Sequence, residues 1–376
     1  MRIGLVAGEA SGDLLGAGLI RAIRARVPDA TFEGVAGPEM VAAGCEQWEE
    51  ADVLAVFGLF EPLTHLPQLL KLRRSLIQRW RAEPPDVFVG IDAPEFNLRL
   101  ERALRKSGIR TVHYVSPSIW VWRAGRIKTV REAADRVLCI LPFEKKIYDK
   151  QGIDAVFVGH PKADTLPAEI DVPAVRDGLG LSPGRLIAVL PGSRAGEVSR
   201  LGPPLVGAAA IVAREHEDVR FVTPIASPRL RPAFEAQLIE AGVRDRFTLI
   251  DGDSIAVMSA ADIVLLTSGT AALESALLGK PTVAAYGIAK LSGALVRLIG
   301  LHNKYFTIPN LIIDEPLIPE FIQEEVTAPA MAQAVIELLN DPSRCEAIRG
   351  RFAKLHAELA LGADDCAADA VITLAQ

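Results

Sequence analysis

The chain has no excess of positive charge, only four cysteines and no long uninterrupted apolar run. Each shortage removes a class of function. With 41 Lys and Arg against 47 Asp and Glu, the net charge is −6, so the basic footprint of a nucleic-acid-binding protein is missing. No stretch reaches the roughly 18 uncharged apolar residues of a membrane-spanning helix. No charged leader with an apolar core and cleavage site precedes Ile3-Gly4-Leu5-Val6, which argues for a cytoplasmic chain. Cys45, Cys139, Cys345 and Cys366 stand far apart without a Cys-x-x-Cys pair. Reduced, buried thiols are therefore expected, rather than a disulfide scaffold or zinc site.

What is present is a regular alternation of short apolar runs with longer amphipathic ones. That is the pattern of strand-helix-strand units around buried parallel sheets. At 376 residues the chain exceeds one compact core and suits two domains. In the first half, strands fit Ile3–Ala7, Thr31–Val35, Val87–Ile91, Thr111–Val115, Arg136–Cys139 and Ala155–Phe157. In the second they fit Leu186–Leu190, Arg220–Thr223, Arg246–Ile250, Ile263–Leu266 and Thr282–Ala285. The proline-bearing stretch from Gly159-His160-Pro161 to Pro183 breaks both periods and reads as the linker. The expected architecture is α/β, with two Rossmann-like, doubly wound domains facing a central cleft. Residues 1–165 form the first and 166–341 the second, and a helical segment from about Pro342 to Gln376 returns to the first.

In open parallel sheets, ligands bind beyond the carboxyl ends of the strands, and the unusual residue clusters fall there. After the first strand, Gly8-Glu9-Ala10-Ser11-Gly12-Asp13 lets the backbone turn sharply against a ligand at a helix start. A plain turn capped by Ser11 or Asp13 is the bland alternative, but it does not require Glu9. Asp92-Ala93-Pro94-Glu95-Phe96-Asn97 places an acid at a strand end, where partial burial suits a general base. Its alternative is a helix cap at Asp92 or Asn97. Ser116-Pro117-Ser118-Ile119-Trp120-Val121-Trp122-Arg123 is either a sugar-binding loop or an ordinary packed one. Leu190-Pro191-Gly192-Ser193-Arg194 offers backbone N–H groups at Gly192 and Ser193 and a guanidinium fork suited to a diphosphate. Thr267-Ser268-Gly269-Thr270-Ala271-Ala272-Leu273-Glu274 opens a helix and is a second anion site, with Glu274 placed for a ribose.

In their order and spacing these segments closely resemble bacterial lipid-A-disaccharide synthases, over nearly the whole chain. Pro309-Asn310-Leu311 and Pro319-Glu320-Phe321-Ile322-Gln323 extend the match. Glu95, where the family more often has aspartate, and Ala36-Gly37-Pro38-Glu39-Met40, a variant of a Gly-Gly-Pro segment, depart from it mildly. The resemblance implies an inverting, metal-independent and cofactor-free transfer in a glycosyltransferase-B fold. The donor would be UDP-2,3-diacylglucosamine and the acceptor 2,3-diacylglucosamine 1-phosphate, lipid X. The product would be the β-1,6-linked disaccharide 1-phosphate of lipid A biosynthesis, with release of UDP. By motif position, Asp92 would be the base on the acceptor 6-hydroxyl, with Glu9 and Ser11 near the reacting sugars. Ser193 and Arg194 would hold the donor diphosphate, and Ser268, Gly269, Thr270, Glu274 and Asn310 the rest of the donor site.

Acylated substrates bring the enzyme to a membrane, and the helix predicted over Leu66–Arg81 fits an anionic surface. At about 100° per residue, Leu66, Leu69, Leu70, Leu76, Ile77 and Trp80 share one arc. Lys71, Arg73, Arg74, Arg79 and Arg81 add cations without an intervening acid. Leu69, Arg73, Arg74 and Trp80 are the expected membrane contacts, on the inner face of the inner membrane. Packing of this helix on the sheet is the alternative. Leu291–Leu301, with Arg297, is a second membrane candidate. Two rivals share the motif chemistry: another enzyme of the same architecture, such as a UDP-sugar epimerase, and a nucleotide-binding regulatory module. An oligomer is compatible with the sequence.

Overall fold

A computed structural model of the protein describes residues 1–55, 66–117, 125–287 and 304–376. Ser118 to Arg123 and the Leu291–Leu301 segment lie outside the described residues. The chain forms two compact units, Met1–Asp164 with Leu359–Gln376 and Thr165–Glu358. No described helix is long and apolar enough to cross a membrane.

The first unit contains β1 (Arg2–Ala7), β2 (Thr31–Ala36), β3 (Cys45–Glu50), β4 (Val87–Ile91), β5 (Arg110–Tyr114), β6 (Arg136–Cys139) and β7 (Ala155–Phe157). They form one sheet in the order β3-β2-β1-β4-β5-β6-β7, with every pairing parallel. The central strands are near-continuous apolar runs because helices cover both faces; all five residues of β4 are buried.

The second unit contains β8 (Leu186–Leu190), β9 (Arg220–Ile225), β10 (Phe247–Asp251), β11 (Ile263–Thr267), β12 (Thr282–Tyr286) and β13 (Glu320–Ile322). Its parallel sheet runs β10-β9-β8-β11-β12-β13. Strand order reverses direction between β1 and β4 in one unit and between β8 and β11 in the other. Helices depart to opposite faces there, leaving space above the strand ends.

The C-terminal segment divides. The helix Pro342–Leu359 stays almost wholly in the second unit, where His356 Nδ1 donates to the Leu277 carbonyl over 2.8 Å. Only the helix Ala363–Ala375 joins the first unit, which corrects the expectation that everything from Pro342 returns there. This last helix lies on Ala10–Arg26 so closely that a Cβ on Gly18 would fall 2.2 Å from Asp364 Oδ2. Ala367, Ala368 and Val371 share the core with Ala17, Ile20 and Ile23, and Arg26 pairs with both Asp365 and Asp369. Asp164 caps it, accepting from Gly362 N at 2.9 Å and Ala363 N at 2.6 Å.

The helix Leu66–Ala82 has the expected period but a different partner. Leu69, Leu76 and Trp80 are buried in a core with Val6, Val35, Phe88, Phe96 and Leu100. Leu69 and Trp80 therefore face the protein interior, and their assignment as membrane contacts is corrected. The Trp80 indole occupies the space left by Gly4, where a Cβ would lie 2.9 Å from Cε2. Its Nε1 donates to Glu33 Oε1 over 3.0 Å, and its ring meets Phe88 edge-on at 4.9 Å. An indole N–H buried with an acceptor is a core arrangement. Arg74 is exposed and Arg73 half-buried on the outer side. Trp80→Ala is expected to cost about 3–5 kcal/mol in chemical denaturation, through the cavity it leaves, while Glu33 keeps its pairing with Arg2. A loss below about 1 kcal/mol would fit an indole facing lipid instead.

Candidate active site

The loops above the second sheet enclose a pocket of about 510 Å³, within the usual range for small-molecule sites. Its wall comes from the segments after β8, β9, β10 and β11, and it brings together Ser193, Arg194, Ser268, Gly269, Thr270 and Glu274. The helix Thr270–Leu277 begins in the pocket, and no side chain caps it. Ala272 N already donates to Gly269 O over 3.3 Å, so the Thr270 and Ala271 N–H groups and the helix dipole favour an anion there.

The β8 loop differs in detail from its expectation. Glu197 Oε2 accepts from the backbone N–H of Ser193 at 3.0 Å and of Arg194 at 3.3 Å. These two donors are thus occupied internally, and the Arg194 guanidinium is the cationic group this loop offers an anion. That side chain is 84% exposed and only loosely paired, 3.4 Å from Glu197 Oε1, a contact worth little in water. Gly192 allows the loop to close over Glu197. Its φ is +112°, and a Cβ would lie 2.6 Å from Glu197 Cβ.

Three lining features were not singled out from the sequence. Glu197 was legible as the third residue after the helix N-cap, the spacing of a capping box. Gly252, Asp253 and Ser254 line the pocket after β10; Asp253 caps the next helix, accepting from Ala256 N at 3.0 Å. An Asp-Ser pair before an apolar run is a recognisable helix start. Pro224, at the end of β9, carries no such signal.

Asn310 does not line the pocket. It is fully buried, and its amide is used internally. Nδ2 donates to Ile318 O at 2.8 Å and Glu320 Oε1 at 2.9 Å, while Oδ1 accepts from Ile318 N at 3.0 Å. In this structure Asn310 is a brace, and its expected nucleotide contact is corrected accordingly. Glu320 is the hub of that brace, also accepting from the Phe306 and Thr307 backbone.

The first unit carries the other cluster, at its own reversal point. Asp92 and Ala93 are both left-handed, with φ of +51° and +42°, a conformation costly for residues with a Cβ. Asp92 N donates to Tyr114 O over 2.8 Å, and the buried Asn97 Nδ2 donates to Asp92 O over 2.8 Å. Asn97 thus holds the turn from below, and the N-cap position belongs to Ala93. Gly8 brings the β1 loop against this turn; a Cβ there would lie 2.5 Å from Ala93 Cβ. Glu9 and Ser11 are exposed, and Glu9 makes no capping bond. Asp13 is buried and accepts from Gly37, Glu39 and Met40 N–H, so it ties this loop to the start of the next helix. Asp92 is half-buried, and its carboxylate has no hydrogen-bond partner among the described residues. Among those residues, no group of three or more His, Cys, Asp or Glu could hold a metal ion.

Comparison with known proteins decides the family. A family model described as lipid-A-disaccharide synthetase matches residues 3–375. The chain belongs to this family. The lipid-A-disaccharide synthase of Alkalilimnicola ehrlichii is 48% identical, with 100% of this chain and 99% of that protein covered. Those of Xanthomonas campestris (46% identical; 99% and 86% covered) and Pseudoalteromonas translucida (45%; 100% and 97%) are similar. Family membership makes the chain a glycosyltransferase that uses a UDP-sugar.

Solved structures share the fold at low identity. A putative UDP-N-acetylglucosamine 2-epimerase from Listeria monocytogenes superposes with a TM-score of 0.65 at 14% identity, covering 99% of this chain and 94% of that one. The glycotransferase of kitacinnamycin gives 0.60 at 17%, covering 99% and 98%. Within a lipid-A-disaccharide synthase, Gly192 is the residue on which the β8 loop turns. Gly192→Ala adds strain of about 1–3 kcal/mol beside the pocket, and is expected to weaken UDP binding about tenfold. Calorimetry giving wild-type affinity would show that the loop does not shape the nucleotide site.

Proposed function

We propose that the chain transfers 2,3-diacylglucosamine from UDP-2,3-diacylglucosamine to the 6-hydroxyl of lipid X, giving the β-1,6 disaccharide 1-phosphate and UDP. The observation that carries this reading is the second-unit pocket, where the exposed, loosely paired Arg194 guanidinium and the uncapped start of the Thr270–Leu277 helix border one space. Two such groups suit a diphosphate. They stabilise it further as negative charge grows on the departing UDP. Glu274, one turn into the helix, takes the ribose side.

The acceptor half of the reaction is assigned to Asp92. Its carboxylate takes the proton of the acceptor 6-hydroxyl as the new O–C1 bond forms and the C1–O bond to the diphosphate breaks, with inversion at C1. The left-handed turn supports this role, because strain in a strand-end acid is a common mark of functional positions. Glu9 and Ser11, exposed beside the turn, contact the reacting sugars. The deciding assay uses UDP-2,3-diacylglucosamine and lipid X. Wild type is expected to form the disaccharide, while Asp92→Ala and Arg194→Ala lose at least about 100-fold in kcat/KM. No disaccharide from the wild type would overturn the assignment, and full activity in Asp92→Ala would remove Asp92 as the base.

Peripheral attachment to the inner face of the inner membrane is proposed on a narrower basis than the sequence suggested. Arg73, Arg74 and Arg99 have no carboxylate partner among the described residues. Burial, then the charges of Arg99 and Arg74, push Arg73 below the usual arginine range. Such crowding is relieved by an anionic headgroup. Arg73→Glu with Arg74→Glu is expected to reduce co-sedimentation with anionic vesicles at least about tenfold while leaving the fold intact. Unchanged co-sedimentation would exclude this face.

A further inference from the structure

Three ion pairs run down the seam between the helix Pro94–Arg105 and the segment 126–135. In two of them the arginine belongs to that helix: Arg102 pairs with Glu132 at 2.8 Å and Arg105 with Asp135 at 2.8 Å. The third is reversed. Arg126, the first residue of the helix Arg126–Ala133, donates from Nη2 to Glu95 Oε1. Glu95 stands three residues after Asp92, so this guanidinium is fastened to the segment that carries the strand-end acid.

Fold stability gives little reason for the third pair. The Glu95 side chain is 68% exposed, and a pair so open to water is worth little. The first turn of the Arg126–Ala133 helix holds no acid, and a cation at that end opposes the helix dipole. Nε and Nη1 of Arg126 have no partner among the described residues, although its side chain is only 22% exposed. One carboxylate oxygen at Nη2 leaves at least one of the two N–H forks of the guanidinium open for the parallel bonds that a phosphate accepts. The group is held in place and still has donors to give.

We propose that Arg126 binds the 1-phosphate of the acceptor, selecting a phosphorylated sugar and setting its 6-hydroxyl against Asp92. The inference rests on the reading of lipid X as acceptor and Asp92 as base. In the acceptor ring, C1, which bears the phosphate, and C5, which bears the 6-hydroxymethyl group, flank the same ring oxygen. A cation on the phosphate must therefore stand within one sugar of the base. Among the described residues, Arg126 is the cation bonded to the segment 92–97. Glu95 orients it and touches no substrate in this scheme.

The test compares lipid X with the same diacylated sugar lacking its phosphate, at saturating UDP-2,3-diacylglucosamine. A neutral detergent is used, so that no phospholipid headgroup contributes. Wild type is expected to prefer lipid X. Arg126→Ala is expected to lower the ratio of the two kcat/KM values at least about tenfold, chiefly through KM for lipid X. Arg102→Ala, which breaks a neighbouring pair of the same seam, keeps the wild-type ratio. An unchanged ratio in Arg126→Ala overturns the assignment, as does a wild type indifferent to the phosphate. An equal fall in Arg102→Ala reduces Arg126 to a staple between helices. Where Arg126→Ala does not fold, Arg126→Gln decides, since it can still donate to Glu95 but carries no charge. The same fall is expected, and an unchanged ratio overturns the proposal. The underlying reading fails separately: a wild type that forms no disaccharide removes lipid X as the acceptor, and a fully active Asp92→Asn removes the base, whatever the ratio in Arg126→Ala.

Discussion

A parallel strand cannot be reached from its neighbour by a tight turn; the chain must cross over one face of the sheet, and it does so with one hand. Starting each sheet in the middle and building outward both ways therefore sends successive helices to opposite faces. Above β1 and β4, and again above β8 and β11, no described helix fills the gap. Gly8 with Asp92 occupies one of these gaps, and Arg194 with Thr270 the other. The position of both clusters follows from strand order before any side chain is considered.

What the side chains add is control of the backbone in those gaps. Asn97 and Glu197 do similar work from opposite chemistry. The amide of Asn97 donates to carbonyls and holds two left-handed residues in place, so the Asp92 carboxylate is left unengaged. The carboxylate of Glu197 gathers two N–H groups, so the Arg194 guanidinium projects from a closed loop. In each case a residue outside the chemistry absorbs the polar demand of the turn. The side chain proposed to act on substrate takes no part in holding the turn.

Most strands were legible because buried parallel strands are short apolar runs. β3 was not: Cys45-Glu46-Gln47-Trp48-Glu49-Glu50 pairs on one side only and needs no continuous apolar face. β13 spans three residues, too short to show a period. The helix Leu66–Ala82 had a readable apolar arc, but an arc does not name its partner. The acceptor that makes Trp80 a core residue, Glu33, lies 47 positions away. Asn310 shows the same limit at the site. A motif marks it as special, yet only coordinates reveal that Ile318 and Glu320 consume its amide. Chemistry carried by one residue was visible in sequence, and chemistry set by two distant residues was not.

Asp164 stands where the chain leaves the first unit, and it caps the helix with which the chain re-enters it, at Gly362 and Ala363. During synthesis this has a temporal meaning. The strands of the first unit emerge early, but the contacts of Ala17, Ile20 and Ile23 with Ala367, Ala368 and Val371 form only when the last helix arrives. The second unit, residues 165–358, is contiguous and can close as soon as it leaves the ribosome. The half translated first is thus the half completed last.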